Sequence, residues 1–224
     1  MAPALATIWT LARKDLLLEL RSRDIVLAVV VFALLVIAIF TFAIELTPSR
    51  SRDVGPGVLW AAIAFAGVLG INRSFAIEAE RDTLDGLMLT PVSRELIFFG
   101  KVLGNFIFIT VAEVVIFPVF EALFNINVLQ VETIAIALLA SVGFSAVGTV
   151  FAAMSVRVRS REIMLPLLFL PTSVPLIMAA VESTSEVVNG GSWSDFSEWL
   201  QLAIAFDVIF VIASAVLFQF VLEE

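Results

Sequence analysis

The chain concentrates charge in one short segment, residues 76–96, which reads AIEAERDTLDGLMLTPVSREL. Seven of its 21 residues are charged, although charged residues make up only 15% of the 224-residue chain. The chemistry open to such a segment is ionic docking, because carboxylates pair with guanidinium and ammonium groups on a basic surface. The four acids within residues 78–85 would be repelled by anionic lipid headgroups. The alternative is a charged interfacial loop without a partner, of the kind that membrane topology alone requires.

The spacing inside this segment predicts a short amphipathic helix of about two turns. Asp82 occupies an N-cap position, and Asp85 follows three residues later, similar to a capping box. Pro91 ends the helix, because the residue before a proline is pushed out of helical geometry. The apolar side of this helix consists of Leu84, Leu87 and Met88.

Three further polar residues, Asn105, Glu113 and Asp207, lie within stretches that are otherwise apolar. An acid at mid-membrane costs about 2.5–3.5 kcal/mol, so each acid should face the bundle interior or water. We expect Lys101, about 18 Å before Glu113 on a helix, to snorkel to the membrane surface without a special role. Because no basic residue is expected at matching depth, each acid is protonated, hydrogen-bonded to Ser or Thr, or open to an outer cavity. The alternatives for each are a role in transport and a hydrogen bond that fixes helix packing.

Residue types that are missing exclude several classes of chemistry. The chain has no Cys, His or Tyr, which excludes disulfides, Cys/His zinc sites and imidazole-based proton relays or haem ligation. Its only Gly-Lys pair, Gly100-Lys101, is followed by Val102, so a phosphate-binding loop is also missing. We therefore predict no catalytic residue, no metal site and no stably bound cofactor, with ATP acting only through another subunit.

Membrane-spanning helices must position these residues. The chain is 61% hydrophobic, well above the roughly 45–50% typical of soluble domains. Six stretches reach the roughly 20 residues that a bilayer requires. They are residues 25–46, 54–75, 96–120, 131–154, 163–181 and 200–222. The sequence thus predicts an all-α integral membrane protein with a single domain, residues 1–224.

The residues before the first span, 1–24, predict an amphipathic helix that lies in the headgroup layer. Its apolar positions have helical spacing, whereas Lys14 and Asp15 fall on other faces; an ordinary soluble helix is the alternative. Of the 13 Lys and Arg residues, eleven fall on the side of the N-terminus and of the charged segment. By the positive-inside rule, both termini and that segment, residues 77–95, are cytoplasmic.

Two features of the spans concern packing and flexibility. The fifth span contains Pro166, Pro171 and Pro175, each of which removes a backbone donor. These prolines are hinge candidates, and static kinks are the alternative. Rows of small residues predict close helix packing. The rows are Ala62, Ala66 and Gly70 on the second span, and Ala137, Ser141, Ser145, Thr149 and Ala153 on the fourth.

The order and pattern of these segments resemble the CcmB family, the haem exporter protein B of cytochrome c maturation. The most specific stretches are NRSFAIEAERDTLDGLMLTPV and IFFGK, and VGTVFAAMSVRVRSREIMLPLLFLPTSVPLIMAAVEST is also similar. More broadly the chain resembles ABC-2 permeases, in which the loop after the second span acts as a coupling helix in a groove of the ATPase subunit. Carried over by position, the coupling contact comprises Glu78, Glu80, Arg81, Asp82, Leu84, Asp85, Gly86, Leu87, Met88 and Pro91.

The resemblance implies a permease subunit in a bacterial cytoplasmic (inner) membrane that works with a CcmA-type ATPase and with CcmC, CcmD and CcmE. It also implies a homodimer within a larger complex in the lipid bilayer, with haem as the handled ligand and no nucleic acid. Met164 and Met178 are about 21 Å apart on a helix, too far to ligate one haem iron from both faces. The chain would then transmit ATP-driven movement to haem delivery or to release of haem-loaded CcmE. Alternatives are an ABC-2 permease for a drug, lipid or glycan, and a proton-coupled secondary transporter that uses Glu113 and Asp207.

Overall fold

A computed structural model describes residues 2–21, 23–44, 47–80, 91–156 and 161–221. Within these ranges all regular secondary structure is helical, as the sequence predicts. The helices are α1 (Ala2–Arg21), α2 (Arg23–Ala43), α3 (Pro48–Glu80), α4 (Arg94–Phe124), α5 (Val131–Val156), α6 (Arg161–Val188) and α7 (Ser197–Val221). The six predicted spans fall on α2 to α7, one on each helix.

Five of the described helices are long and apolar enough to cross a membrane. Their spanning portions are Ser49–Asn72, Arg94–Phe124, Val131–Ser155, Ile163–Val188 and Ser197–Val221. Helix α2 has 21 residues, about 31 Å at 1.5 Å per residue, and its described apolar stretch, Leu27–Ala43, is shorter than the other five. Several helices continue past the predicted spans, because a helix satisfies its own backbone hydrogen bonds in lipid and headgroups alike.

The core of the bundle lies along α3 and α5, where both predicted rows of small residues are buried. Aromatic side chains fill the spaces between the helices: Trp60 and Phe144 are fully buried, and Phe144 lies 5.6 Å from the ring of Phe169. At Gly70 a Cβ would overlap the ring of Phe108 on α4. The small side chains therefore let neighbouring helix backbones approach closely, which is what holds helices together in lipid.

Helix α1 packs against α4. Ala12 is fully buried and lies near Gly104, whereas Leu5 and Trp9, nearer the start of the helix, are exposed. Asp15, which helical spacing places away from the apolar positions, is nevertheless buried in this contact. The physical reason is that α4 supplies a counter-ion for its carboxylate, as described below.

Candidate functional site

The charged segment joins α3 to α4. Glu78 and Glu80 belong to the last turn of α3, and Pro91 is exposed just before α4 begins. The other predicted coupling residues lie outside the described residues; they are Arg81, Asp82, Leu84, Asp85, Gly86, Leu87 and Met88. Their arrangement therefore stays a prediction, and the described contacts begin where the segment enters α4.

The first turn of α4 contacts the last turns of α7. Arg94 donates a hydrogen bond from Nη1 to the backbone carbonyl of Gln219, over 3.2 Å. Gln219 in turn donates from Nε2 to Oε1 of Glu95, over 3.0 Å. One turn further along, the rings of Phe98 and Phe218 lie 5.4 Å apart. A guanidinium is well suited to this place, because the last carbonyls of a helix have no intrahelical partner and carry partial negative charge.

The next turns of α4 contact α1 through a buried ion pair. Nζ of Lys101 lies 3.0 Å from Oδ2 of Asp15, and both side chains are less than 10% exposed. The other carboxylate oxygen, Oδ1, lies 2.9 Å from Nζ of Lys14. Lys101 also lies over the ring of Phe75, 5.1 Å from its centroid, at a distance where a cation is attracted to a π face. The expectation that Lys101 snorkels is therefore wrong: its ammonium is held inside the bundle by a carboxylate.

Gly100 makes this contact between α1 and α4 possible. A Cβ at position 100 would lie 2.7 Å from Cβ of Leu11 and 3.5 Å from the carbonyl oxygen of Ile8. The backbone of α4 thus touches α1 one residue before the ion pair. Gly100 could have indicated this close approach of α1 and α4 from the sequence, because glycine in a helix interior costs stability and is found where helix backbones meet.

Two of the predicted intramembrane polar residues join α4 to α5. Nδ2 of Asn105 donates to Oγ1 of Thr149 over 2.8 Å, and Oγ of Ser141 donates to Oε1 of Glu113 over 2.8 Å. The two bonds are eight residues apart on each helix and run in opposite directions along the chain, so α4 and α5 are antiparallel. Of the alternatives for Glu113, a hydrogen bond to a Ser is the one that the structure contains.

Asp207 lies elsewhere, on α7, and its carboxylate faces α5. Oδ1 stands where a Cβ of residue 143 would be, so only glycine leaves room for it. Asp207 is 6% exposed, and within the described ranges neither of its oxygens has a hydrogen-bond partner. The structure therefore does not bring Asp207 together with Asn105 and Glu113.

The three hinge candidates lie on α6, which is continuous from Arg161 to Val188. Pro171 and Pro175 are exposed on the outside of the bundle, whereas Pro166 is half-buried. Oγ1 of Thr172 donates to the carbonyl of Leu168 over 2.8 Å. A proline in this helix leaves the carbonyl four residues earlier without its usual donor, which weakens the helix at that point. Whether α6 bends there during function is a matter of movement, so the hinge assignment stays a prediction.

These contacts join three helices, α1, α4 and α7, at the start of α4. The described residues contain no group of three or more Asp, Glu, His or Cys that could hold a metal ion. The start of α4 instead receives the charged segment at one end and fixes α1 and α7 by ionic and hydrogen-bonded contacts.

Comparison with known proteins agrees with the resemblance in the sequence. The model of the CcmB protein family matches residues 6–223. The chain belongs to the CcmB family. Among the relatives of this CcmB-family chain, the protein of Pseudomonas aeruginosa named "Heme exporter protein B" is 27% identical over 191 residues, 85% of each chain. That of Bradyrhizobium diazoefficiens is 26% identical over 181 residues, 80% of this chain and 82% of the relative.

A third relative with the same printed name, from Rhodobacter capsulatus, is 28% identical over 181 residues, 76% of this chain and 83% of its own. The match to the family model extends from α1 to the end of α7 and so includes α4 with its junction. As a CcmB-family chain with several apolar helices, this is a multi-pass membrane protein.

Proposed function

We propose that this chain is the transmembrane permease subunit of an ABC-type haem exporter in cytochrome c maturation. In this role it transmits movement from ATP hydrolysis in a separate, CcmA-type subunit to haem delivery or to release of haem-loaded CcmE. The chain itself is not an enzyme in this proposal, and haem is handled without a stable site in it. Its relatives named "Heme exporter protein B" support the assignment to haem export.

The observation that supports a coupling role most directly is the junction at the start of α4. Arg94 contacts the end of α7 and Lys101 contacts α1; Arg94 belongs to the charged segment, and Lys101 lies two turns further along α4. Packed interfaces respond to a push by moving as units rather than by bending continuously. An ATPase subunit that binds the segment and changes its own conformation would therefore move α1, α4 and α7 together.

The proposal places the segment and both termini in the cytoplasm of a bacterium, with the bundle in the inner membrane. The positive-inside distribution of Lys and Arg supports this orientation. The partners in this proposal are the CcmA-type ATPase, CcmC, CcmD and CcmE, with two copies of this chain in the complex.

Co-purification tests the coupling contact. The double variant Asp82→Lys plus Asp85→Lys reverses two charges of the acidic segment, so we expect the CcmA-type ATPase to be lost from the purified complex, because ammonium groups would face its basic surface. The matched control is Glu182→Lys plus Glu186→Lys, two exposed acids toward the opposite end of α6, which should leave the ATPase bound. Retention of the ATPase in the first variant at wild-type levels would overturn the docking assignment.

A further inference from the structure

A pocket of about 290 Å³ lies between α4, α5 and the connection that joins them. Its volume is close to the lower limit for small-molecule sites. Val114, Leu129 and Leu138 line it and are exposed on the outside of the bundle, so the pocket opens sideways toward the surface that faces lipid. Its walls are apolar apart from Thr110 and Glu113. A ligand that enters must therefore be mainly apolar.

The two polar groups that line the pocket can accept a hydrogen bond from a ligand. The hydroxyl of Thr110 has no proton left to donate to a ligand, because Oγ1 already donates to the carbonyl of Phe106 over 2.9 Å. The carboxyl of Glu113 is 3% exposed and is held at Oε1 by the hydroxyl of Ser141, over 2.8 Å. Within the described residues, Oε2 has no donor. Oε2 is therefore the carboxyl oxygen that is available to accept a hydrogen bond from a ligand, and hydrogen bonds to a charged acceptor are the stronger kind.

We propose that this pocket binds a small lipophilic amine that reaches it from within the membrane. The amine nitrogen would donate to Oε2 of Glu113, and the apolar body would lie against Val114 and Leu138. An ammonium group complements the charge of a carboxylate, and such charge-assisted bonds are about twice as strong as those between neutral groups. This inference does not depend on the proposed function in haem export.

The depth of Glu113 separates this ligand from a lipid headgroup. Glu113 lies eleven residues before the end of α4 at Phe124 and nineteen after its start at Arg94, about 16 Å and 28 Å along the axis. The first distance is about half the thickness of the hydrocarbon layer. The ammonium of a phospholipid stays at the headgroup level and does not reach the carboxylate, whereas a small membrane-soluble amine does.

Photolabelling of the full-length protein in lipid nanodiscs tests the proposal. The probe is an aliphatic diazirine that carries a primary amine, and its labelling sites are located by mass spectrometry. The competitors are 1-aminoadamantane and its neutral isostere 1-adamantanol. We expect saturable labelling of residues 110–138, and displacement by the amine at about tenfold lower concentration than by the alcohol.

Two variants separate charge from shape. Glu113→Gln keeps the side-chain shape, and we expect it to reduce labelling about tenfold or more and to abolish the preference for amine over alcohol. Asp207→Asn neutralises a different buried acid and should change neither the labelling nor the preference for amine over alcohol. Leu138→Trp obstructs the mouth of the pocket at an exposed position and should block labelling while Glu113 stays intact. Equal displacement by the two competitors, unchanged labelling of Glu113→Gln, or labelling elsewhere in the chain would overturn the proposal.

Discussion

Removing one partner of the Asp15–Lys101 ion pair should destabilise the contact between α1 and α4. The two side chains are 7% and 4% exposed, and the charged atoms lie 3.0 Å apart. Breaking a buried pair from one side costs about 3–5 kcal/mol, because the remaining charge is desolvated without compensation. Asp15→Asn should show this full cost, since it leaves the ammonium of Lys101 beside that of Lys14.

Lys101→Met should cost less, about 1–3 kcal/mol. Asp15 then keeps Lys14 as a counter-ion at 2.9 Å, and the side chain of Lys14 is 40% exposed and so already well solvated. The double variant Asp15→Asn plus Lys101→Met removes both charges, and we expect it to lie within about 1 kcal/mol of the wild type, because replacing both members of a buried pair is often nearly neutral. The resulting coupling energy is at least about 3 kcal/mol.

The assay is thermal unfolding in nanodiscs, followed by circular dichroism. At about 2–4 °C per kcal/mol, Asp15→Asn should lower Tm by roughly 6–20 °C. Arg13→Met and Asp53→Asn neutralise exposed charges, and these matched controls should leave Tm within about 2 °C. If the two single changes prove additive in the double variant, or if both leave Tm where the controls leave it, the ion pair does not hold α1 on α4.

Two further predictions concern other parts of the structure. Gly143→Ala places a methyl group against the carboxylate of Asp207 and against Cδ2 of Leu176, and should cost about 1–3 kcal/mol of stability by overpacking. Asp207→Ala in the same chain removes the first of these two clashes and should restore part of the loss; a thermal shift that Asp207→Ala leaves unchanged would exclude the contact with the carboxylate. In the α6–α7 connection, Asp195 accepts hydrogen bonds from the backbone N–H and hydroxyl of Ser192, which lower the pKa of its carboxyl from 3.8. Because the folded-state pKa is lowered, the hydrogen bonds stabilise the turn above about pH 3.8 and are lost as pH falls through the lowered value; a ¹³C NMR titration of Asp195 that gives a pKa of 3.8 or higher would contradict this.

Hydropathy was sufficient to predict the membrane helices, because each span adds up the apolar character of about 20 residues and a few exceptions do not change the sum. The rows of small residues were likewise readable, since they must face other helices. The boundaries were less predictable: α3 continues through Glu78 to Glu80, where composition alone indicates a loop. Backbone hydrogen bonds continue a helix past the lipid, and hydropathy contains no information on where they stop.

The partners of individual polar residues could not be predicted to the same extent. The sequence allowed Glu113 a Ser or Thr partner but could not select Ser141, and it gave Lys101 no partner at all. Such pairs depend on the rotation of each helix about its axis and on how the helices cross, which are properties of the whole bundle. The burial of Asp15 could not be predicted for the same reason, because a buried carboxylate is stable only where another helix supplies the counter-ion.

In the proposed function, the acidic segment between α3 and α4 lies in the cytoplasm, where a separate ATPase can bind it. The chain has no native Cys, so a membrane-impermeant maleimide can report on Asp85→Cys without background. We expect labelling in inside-out vesicles and none in intact spheroplasts, with Ser194→Cys, an exposed position in the α6–α7 connection, as the control that labels in spheroplasts. Labelling of Asp85→Cys in intact spheroplasts would place the segment outside and contradict the account.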